Sequence, residues 1–317
     1  LIPSEEAHIK MYPMDFEEFL WATGNEARWA TIREFFDKRK PLGPLVHKMM
    51  MNLFRQYIIV GGMPQAVMRF IETKGDFMAV DRVKRGILTL YRDGIHKHAG
   101  ALAYKVEAVF DTLPAALSRH EKKFKPSDIS KDSKLREYED ALFWLKDAMV
   151  VNPCYNATEP NVGLGLNLDR TTLKCYMGDT GLLVSLAFGE NKNAVADIHR
   201  RLLFDKIELN KGMLVENVVA QMLTATGRAL YFFTRYDKNK ADERMEIDFL
   251  IAKSKIGRRK NISPIEVKSG RTYTTVSLDK FRRKYRTYID TPYVLHTDDV
   301  TTEDGITYLP LYMTPFL

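Results

Sequence analysis

Two short stretches constrain the fold of this chain most: "MEIDFLIA", residues 245–252, and "NISPIEVKSG", residues 261–270. Each reads as an apolar strand that carries acids on one face. Successive side chains on a strand point to opposite faces. Glu246 and Asp248 therefore share a face opposed to Ile247 and Phe249, and Glu266 shares one with Lys268, opposed to Ile265 and Val267. The segment "SLDKFRRKYRTY" has a helical pattern and separates the Glu266 strand from a further strand, "TPYVLHT". A strand, helix, strand crossover after a hairpin-like strand set predicts an α/β arrangement around one mixed sheet.

Upstream, "GMLVENVVAQMLTAT" (212–226) reads as a long helix with Glu216 set among Leu214, Val215, Val218 and Val219. Three carboxylates, Glu216, Asp248 and Glu266, together with Lys268, are thereby candidates to converge on one site. Carboxylate oxygens suit Mg²⁺, which demands near-octahedral oxygen coordination. A metal so held polarises a phosphodiester and acidifies a bound water, and a lysine ammonium can orient that water or offset developing charge. We take Glu216, Asp248 and Glu266 as candidate metal ligands and all four residues as candidate catalytic groups. Each also has a plain structural reading: Glu216 as a buried capping or salt-bridge acid, Asp248 as a hairpin acid, and Lys268 as their partner.

The rest of the chain supplies context. With 317 residues, 45% apolar and 28% charged, it has the make-up of a globular protein large enough for two or three domains. The first 120 or so residues read as mostly helical, through "MDFEEFLWAT", "LVHKMMMNLFRQYIIV" and "GGMPQAVMRFIET", where Pro64 sits at a helix start. Residues 123–157 read as a short helix, a turn, an amphipathic helix carrying Leu142, Leu145 and Met149, and a strand, the pattern of a winged-helix unit. The division expected is 1–120 helical, 121–165 winged-helix-like and 166–317 a mixed-sheet domain. No apolar run approaches the roughly 20 residues that span a bilayer. The start "LIPSEEAHIKMYP" has no signal-peptide pattern, so a cytoplasmic protein without a membrane partner is expected. Cys154 and Cys175 are too few for a disulfide framework or a zinc site and read as reduced, buried thiols.

The formal charge is +7, with a pI near 9.1. The basic residues bunch beside the Glu266 strand: Arg258, Arg259 and Lys260 in "KIGRRK", and Lys280, Arg282, Arg283 and Lys284 in "KFRRKYRTY", where Tyr285 and Tyr288 are interleaved. Solvated faces would look the same, but these runs also suit phosphate, and we take the seven residues as candidate nucleic-acid contacts, DNA before RNA.

Helix Glu, strand Asp, then Glu-x-Lys is the order of the PD-(D/E)XK nucleases, which this segment resembles. The strings "YPMDFEEFL", "GGMPQAV", "LYRDGI", "SDISKD", "GDTGLL", "GMLVENVVAQML", "MEIDFLI" and "PIEVKSG" also follow one another as in prokaryotic AAA_14/DUF4143-type ATPases. That resemblance implies an N-terminal P-loop domain, a winged-helix-like middle and a restriction-endonuclease-like C-terminal domain. It also implies that "YPMDFEEFL" lies near the end of the ATPase domain, so ATP would bind in a part absent from this sequence. Consistent with this, no G-x-x-x-x-G-K-[ST] occurs, and "GLGLN" at 163–167 is not one. Two functions remain open for the chain. One is a nucleic-acid-interacting part of such an ATPase with Mg²⁺-dependent cleavage. The other is a non-catalytic binding or assembly module. The oligomeric state is left open.

Overall fold

The computed structural model describes residues 10–161, 163–188, 192–203, 211–240, 243–252, 260–270 and 272–317. It is a mixed α/β structure with a helical N-terminal region and C-terminal mixed sheets.

Six helices open the chain: α1 (Phe16–Ala22), α2 (Glu26–Lys38), α3 (Pro44–Val60), α4 (Pro64–Glu72), α5 (Phe77–His98) and α6 (Ala103–Ser118). Asp15 starts α1 with a capping box: its side chain accepts from the Glu18 amide, and the Glu18 carboxylate accepts from the Asp15 amide, both at 2.9 Å. Pro44 and Pro64 open α3 and α4, where a missing amide hydrogen costs nothing. Phe16, Phe54 and Tyr57 form an aromatic cluster, with Phe16 edge-on to Phe54 at 5.1 Å.

The "GG" before α4 is a seam. A side chain on Gly62 would stand 2.0 Å from the Met14 carbonyl oxygen, and Gly61 has φ +81°, so both positions require glycine. The Gly62 amide donates to the buried Asp179 carboxylate, which also caps α8 (Thr180–Ala187) through the Leu182 amide.

Residues 123–157 depart from the expected pattern. Two 3-10 turns, Pro126–Asp128 and Leu135–Glu137, stand where a first short helix was expected. Pro126, Ser127, Asp128, Ser130, Asp132 and Ser133 fill this stretch, and such side chains compete with helical hydrogen bonds. Only α7 (Glu139–Asp147) is an α-helix, burying Leu142 and Leu145. Met149 lies beyond its end at φ +56° and is half-buried.

The expected single mixed sheet is instead two. The first has the order β2-β1-β3-β4, from β1 (Val151–Ala157), β2 (Leu168–Met177), β3 (Leu230–Arg235) and β4 (Met245–Ile247). Within it β1 is antiparallel to β2 and parallel to β3. The second has the order β5-β6-β7-β9-β8, from β5 (Phe249–Ala252), β6 (Ile262–Val267), β7 (Tyr293–His296), β8 (Thr301–Glu303) and β9 (Ile306–Pro310). The segment "MEIDFLIA" serves both: Ile247 pairs with Phe233 of β3, and Phe249 pairs with Ile265 of β6, with the change of partner at Asp248. Helix α11 (Val276–Lys284) makes the expected crossover between the parallel β6 and β7. Helices α9 (Lys192–Leu203) and α10 (Lys211–Ala225) lie between β2 and β3 in the sequence, and α10 is buried from Met213 to Leu223. Among the described residues no helix is long and apolar enough to cross a membrane.

Candidate functional site

Strand β2 carries "LKCYM", and its alternation aims Lys174 and Tyr176 at α10. Glu216 comes from the middle of that helix, on which no face meets solvent. Its carboxylate accepts from the Tyr176 hydroxyl and, at 3.1 Å, from the Lys174 ammonium. The other oxygen lies 2.8 Å from Lys122 Nζ. Residues 122–124 reach this place by running along β2: Lys123 bridges Lys174, and the Phe124 amide donates to the Leu173 carbonyl at 2.9 Å.

Lys174 is the centre of the arrangement. Besides Glu216, its Nζ contacts Glu246 at 2.9 Å and Asp248 at 3.6 Å, with 1% of its side chain exposed. Asp248 turns its second oxygen to the Val267 amide of β6, 2.8 Å away, and so ties the two sheets at the point where the strand changes partner. Lys123 stands 3.6 Å from the far side of Glu246. Glu266 makes a neighbouring pair with Lys268 at 2.6 Å, and neither Glu266 oxygen receives a well-aligned hydrogen bond.

These contacts fix the protonation states. Burial would raise the Glu216 carboxyl, but Lys174 and Lys122 overcome it and hold it at about 2. Burial works against the Lys174 ammonium as well, yet the three surrounding carboxylates keep it charged, far above the usual lysine range. Burial raises Asp248, and Glu216 adds to the rise. Burial likewise raises Glu266, against the pull of Lys268 and of the Leu278 amide at the first turn of α11.

The four predicted residues therefore fall into two groups. Glu216 and Asp248 meet at Lys174, with Glu246 as a third acid; Glu266 and Lys268 pair beside them. Four ammonium groups, Lys122, Lys123, Lys174 and Lys268, face four carboxylates. This balance bears on magnesium. A Mg²⁺ ion takes oxygen ligands at about 2.0–2.1 Å, and the oxygens of Glu216 and Asp248 are already turned to a charged amine. The set Glu216, Asp248 and Glu266 does not fit the ion as it stands. Among the described residues no cluster of three or more His, Cys, Asp or Glu has metal-holding geometry.

Sequence reasoning missed Lys174, Lys122 and Tyr176. A signal existed for two of them, because alternation puts Lys174 and Tyr176 on one face of "LKCYM"; nothing local shows that this face is buried against Glu216.

The basic runs are also placed. Arg258 and Arg259 lie outside the described residues, and Lys260 is exposed just before β6. On α11, Lys284 pairs with Glu243 at 2.9 Å and Arg282 with Asp279 at 3.3 Å. Lys280 reaches the Arg244 carbonyl at 3.4 Å. Arg282 and Arg283 border an open cleft together with Arg286. The last turn of α11 holds Arg282, Arg283 and Lys284, whereas the turn near Glu266 is its first. Tyr285 packs against Phe281 at 4.9 Å and Phe233 at 5.5 Å, so it serves the core, while Tyr288 is exposed.

Residues 51–193 match the family described as Domain of unknown function (DUF8612), and residues 211–313 match Domain of unknown function (DUF4143). The DUF4143 resemblance in the sequence is thus supported over α10 and the second sheet, and the residues before it match a separate family. No curated protein and no solved structure matches the chain.

Proposed function

We propose that this chain binds nucleic acid, DNA before RNA, as a non-catalytic module whose nuclease-like carboxylate site is closed by Lys174, serving a cytoplasmic P-loop ATPase of the kind it resembles. The observation that carries the choice against catalysis is the Lys174 ammonium, within 3.6 Å of Glu216, Glu246 and Asp248. A buried cation at the place where a metal would share the same oxygens turns a ligand set into an internal ion-pair network. Nucleic acid is favoured by the +7 charge and by Arg283 of α11, which is exposed at the cleft that it borders with Arg282 and Arg286.

A specific observation favours a second reading, Mg²⁺-dependent cleavage. Glu266 is 2% exposed, neither of its oxygens receives a well-aligned hydrogen bond although Lys268 stands 2.6 Å away, and Asp248 is a further charged neighbour. Asp248 and Glu266 would be the ligands, with Glu216 left to Lys174.

A gel-shift titration at low salt, run beside a nuclease assay with Mg²⁺ or EDTA, separates the two. The first reading expects a shifted, uncut probe that Glu266→Ala leaves unchanged. Cleavage with Mg²⁺ that Glu266→Ala abolishes would establish the second. No shift at low salt would remove nucleic acid from both.

A further inference from the structure

The first sheet carries a second place where charge and aromatic surface meet. A cleft of about 370 Å³ opens along β1, β2 and β3, beside the end of α10. That is at the lower end of ligand-sized clefts, roughly 300–1,000 Å³. Lys10, Lys146, Arg170 and Arg228 line it, and no acidic side chain does among the described residues. Lys10, Lys146 and Arg170 are exposed. Arg228 is half-buried, anchored by a 2.9 Å bond from its guanidinium to the Leu317 carbonyl, while its Nε is buried without a partner.

The cleft also holds Tyr155 and Tyr231, both half-buried. These two are direct partners across the parallel β1–β3 pair, so they stand on the same face of the sheet. Burial raises the Tyr155 hydroxyl pKa, Cys175 and Glu139 add to the rise, and the Arg170 charge works against it. Two rings side by side on a rigid sheet, in a cleft whose charged lining among the described residues is basic although Glu139 acts on Tyr155 from outside it, combine a base-stacking platform with a track for a phosphate backbone.

We propose that this cleft binds single-stranded nucleic acid, bases on Tyr155 and Tyr231 and phosphates on Lys10, Lys146, Arg170 and Arg228. The assignment rests on the nucleic-acid reading above and places the contact on the first sheet, away from the α11 arginines. A duplex hides its base faces in the stack, so aromatic platforms select an unpaired strand, and they do so with little regard for sequence.

The test is fluorescence anisotropy of a labelled oligothymidylate of about 12 nucleotides at low salt, with the full chain. The variants are Lys146→Glu with Arg170→Glu, Tyr155→Ser, Tyr155→Phe, and Arg282→Ala with Arg283→Ala. The charge reversals are expected to weaken binding at least tenfold. Tyr155→Ser is expected to lose about five- to a hundredfold, the range for one stacked base, and Tyr155→Phe to keep the wild-type affinity. Unlabelled single strand should compete better than the duplex of the same length; equal competition by thymidine monophosphate at the same phosphate concentration would instead mark a nucleotide pocket and overturn the strand assignment. If the charge reversals, both residues being exposed, leave affinity unchanged while the α11 pair abolishes it, the cleft is not the site and the general reading stands. If no variant and no wild-type protein binds, both fall together.

Discussion

Lys174 has the most to lose from substitution. Burying an ammonium is costly, and its contacts repay this only while all of them are present. Lys174→Met would leave Glu216, Glu246 and Asp248 facing one another, and removing one partner from a buried ion pair typically costs about 3–5 kcal/mol. Urea unfolding should show a loss of that size; a loss below about 1 kcal/mol would mean that the network is slack. Glu216 gives the acid side of the same argument. Its carboxyl sits at about 2 in the folded protein against a reference of 4.5. The unfolded chain therefore takes up the proton first, and the stability contributed by Glu216 is complete above roughly pH 4.5 and disappears as pH falls toward 2. Asp248 and Glu266 are shifted upward, so acidification favours their folded form and works the other way. The difference in unfolding free energy between wild type and Glu216→Gln should be flat above pH 5 and shrink below it. A difference that grows on acidification would contradict the pairing with Lys174 and Lys122.

At the scale of elements, much was legible. Alternation put Glu246 and Asp248 on one side, and both do reach Lys174. Periodicity and proline placed α3 and α4 to within a residue, because an apolar stripe and a Pro at the first turn are local signals. The change of partner at Asp248 was not legible, since which strand a segment pairs with is decided by distant chain. Nor was the loss of the first helix in 123–157, where serine, aspartate and proline chemistry overrode a weak apolar pattern. The "GG" turn was legible as a turn only; its tight packing on Met14 depends on residues far along the chain. That packing has a direct consequence. Gly62→Ala would drive a methyl group into the Met14 carbonyl, a contact of 2.0 Å that no rotamer can relieve. Overpacking typically costs 1–3 kcal/mol, and a backbone obstacle should put this case at about 3 kcal/mol or more, visible as a lowered thermal midpoint. The exposed, unobstructed Gly227 is the control in position but not in backbone, because its φ is +81°. Gly86, in α5 with open space around it, is the better one: Gly86→Ala should be neutral or stabilising.

For the whole molecule, the sequence reads as three successive regions, yet the core does not divide there. The larger of two buried apolar clusters runs from Phe16 in α1 through Leu145 in α7 and Val218 in α10 to Met313, and so crosses all three regions, while the smaller, with Phe233, Ile247, Phe281 and Val294, lies against α11. The C-terminal turn Leu311–Phe316 closes it on the first helices: Phe316 stacks on Trp29 at 4.4 Å, and the Tyr312 hydroxyl meets His47 at 3.0 Å. The entry to α3 is fastened to the same end, with the Leu42 and Gly43 amides donating to Asp299 at 3.0 and 2.8 Å. Regions that shared only linkers would unfold separately, as is usual for chains of this length. A large cluster shared by all three regions predicts the opposite. Fluorescence from the tryptophans, which include the buried Trp29, and far-ultraviolet circular dichroism, which follows the whole backbone, should trace one coincident unfolding transition. Tyr312→Ala removes a fully buried ring from the junction and should lower that single transition by about 3–5 kcal/mol, the range for large aromatic deletions. If fluorescence alone shifts while most of the dichroism transition stays in place, the helical region is an independent unit, and the contacts made by Tyr312 and Phe316 are too weak to couple the two ends of the chain.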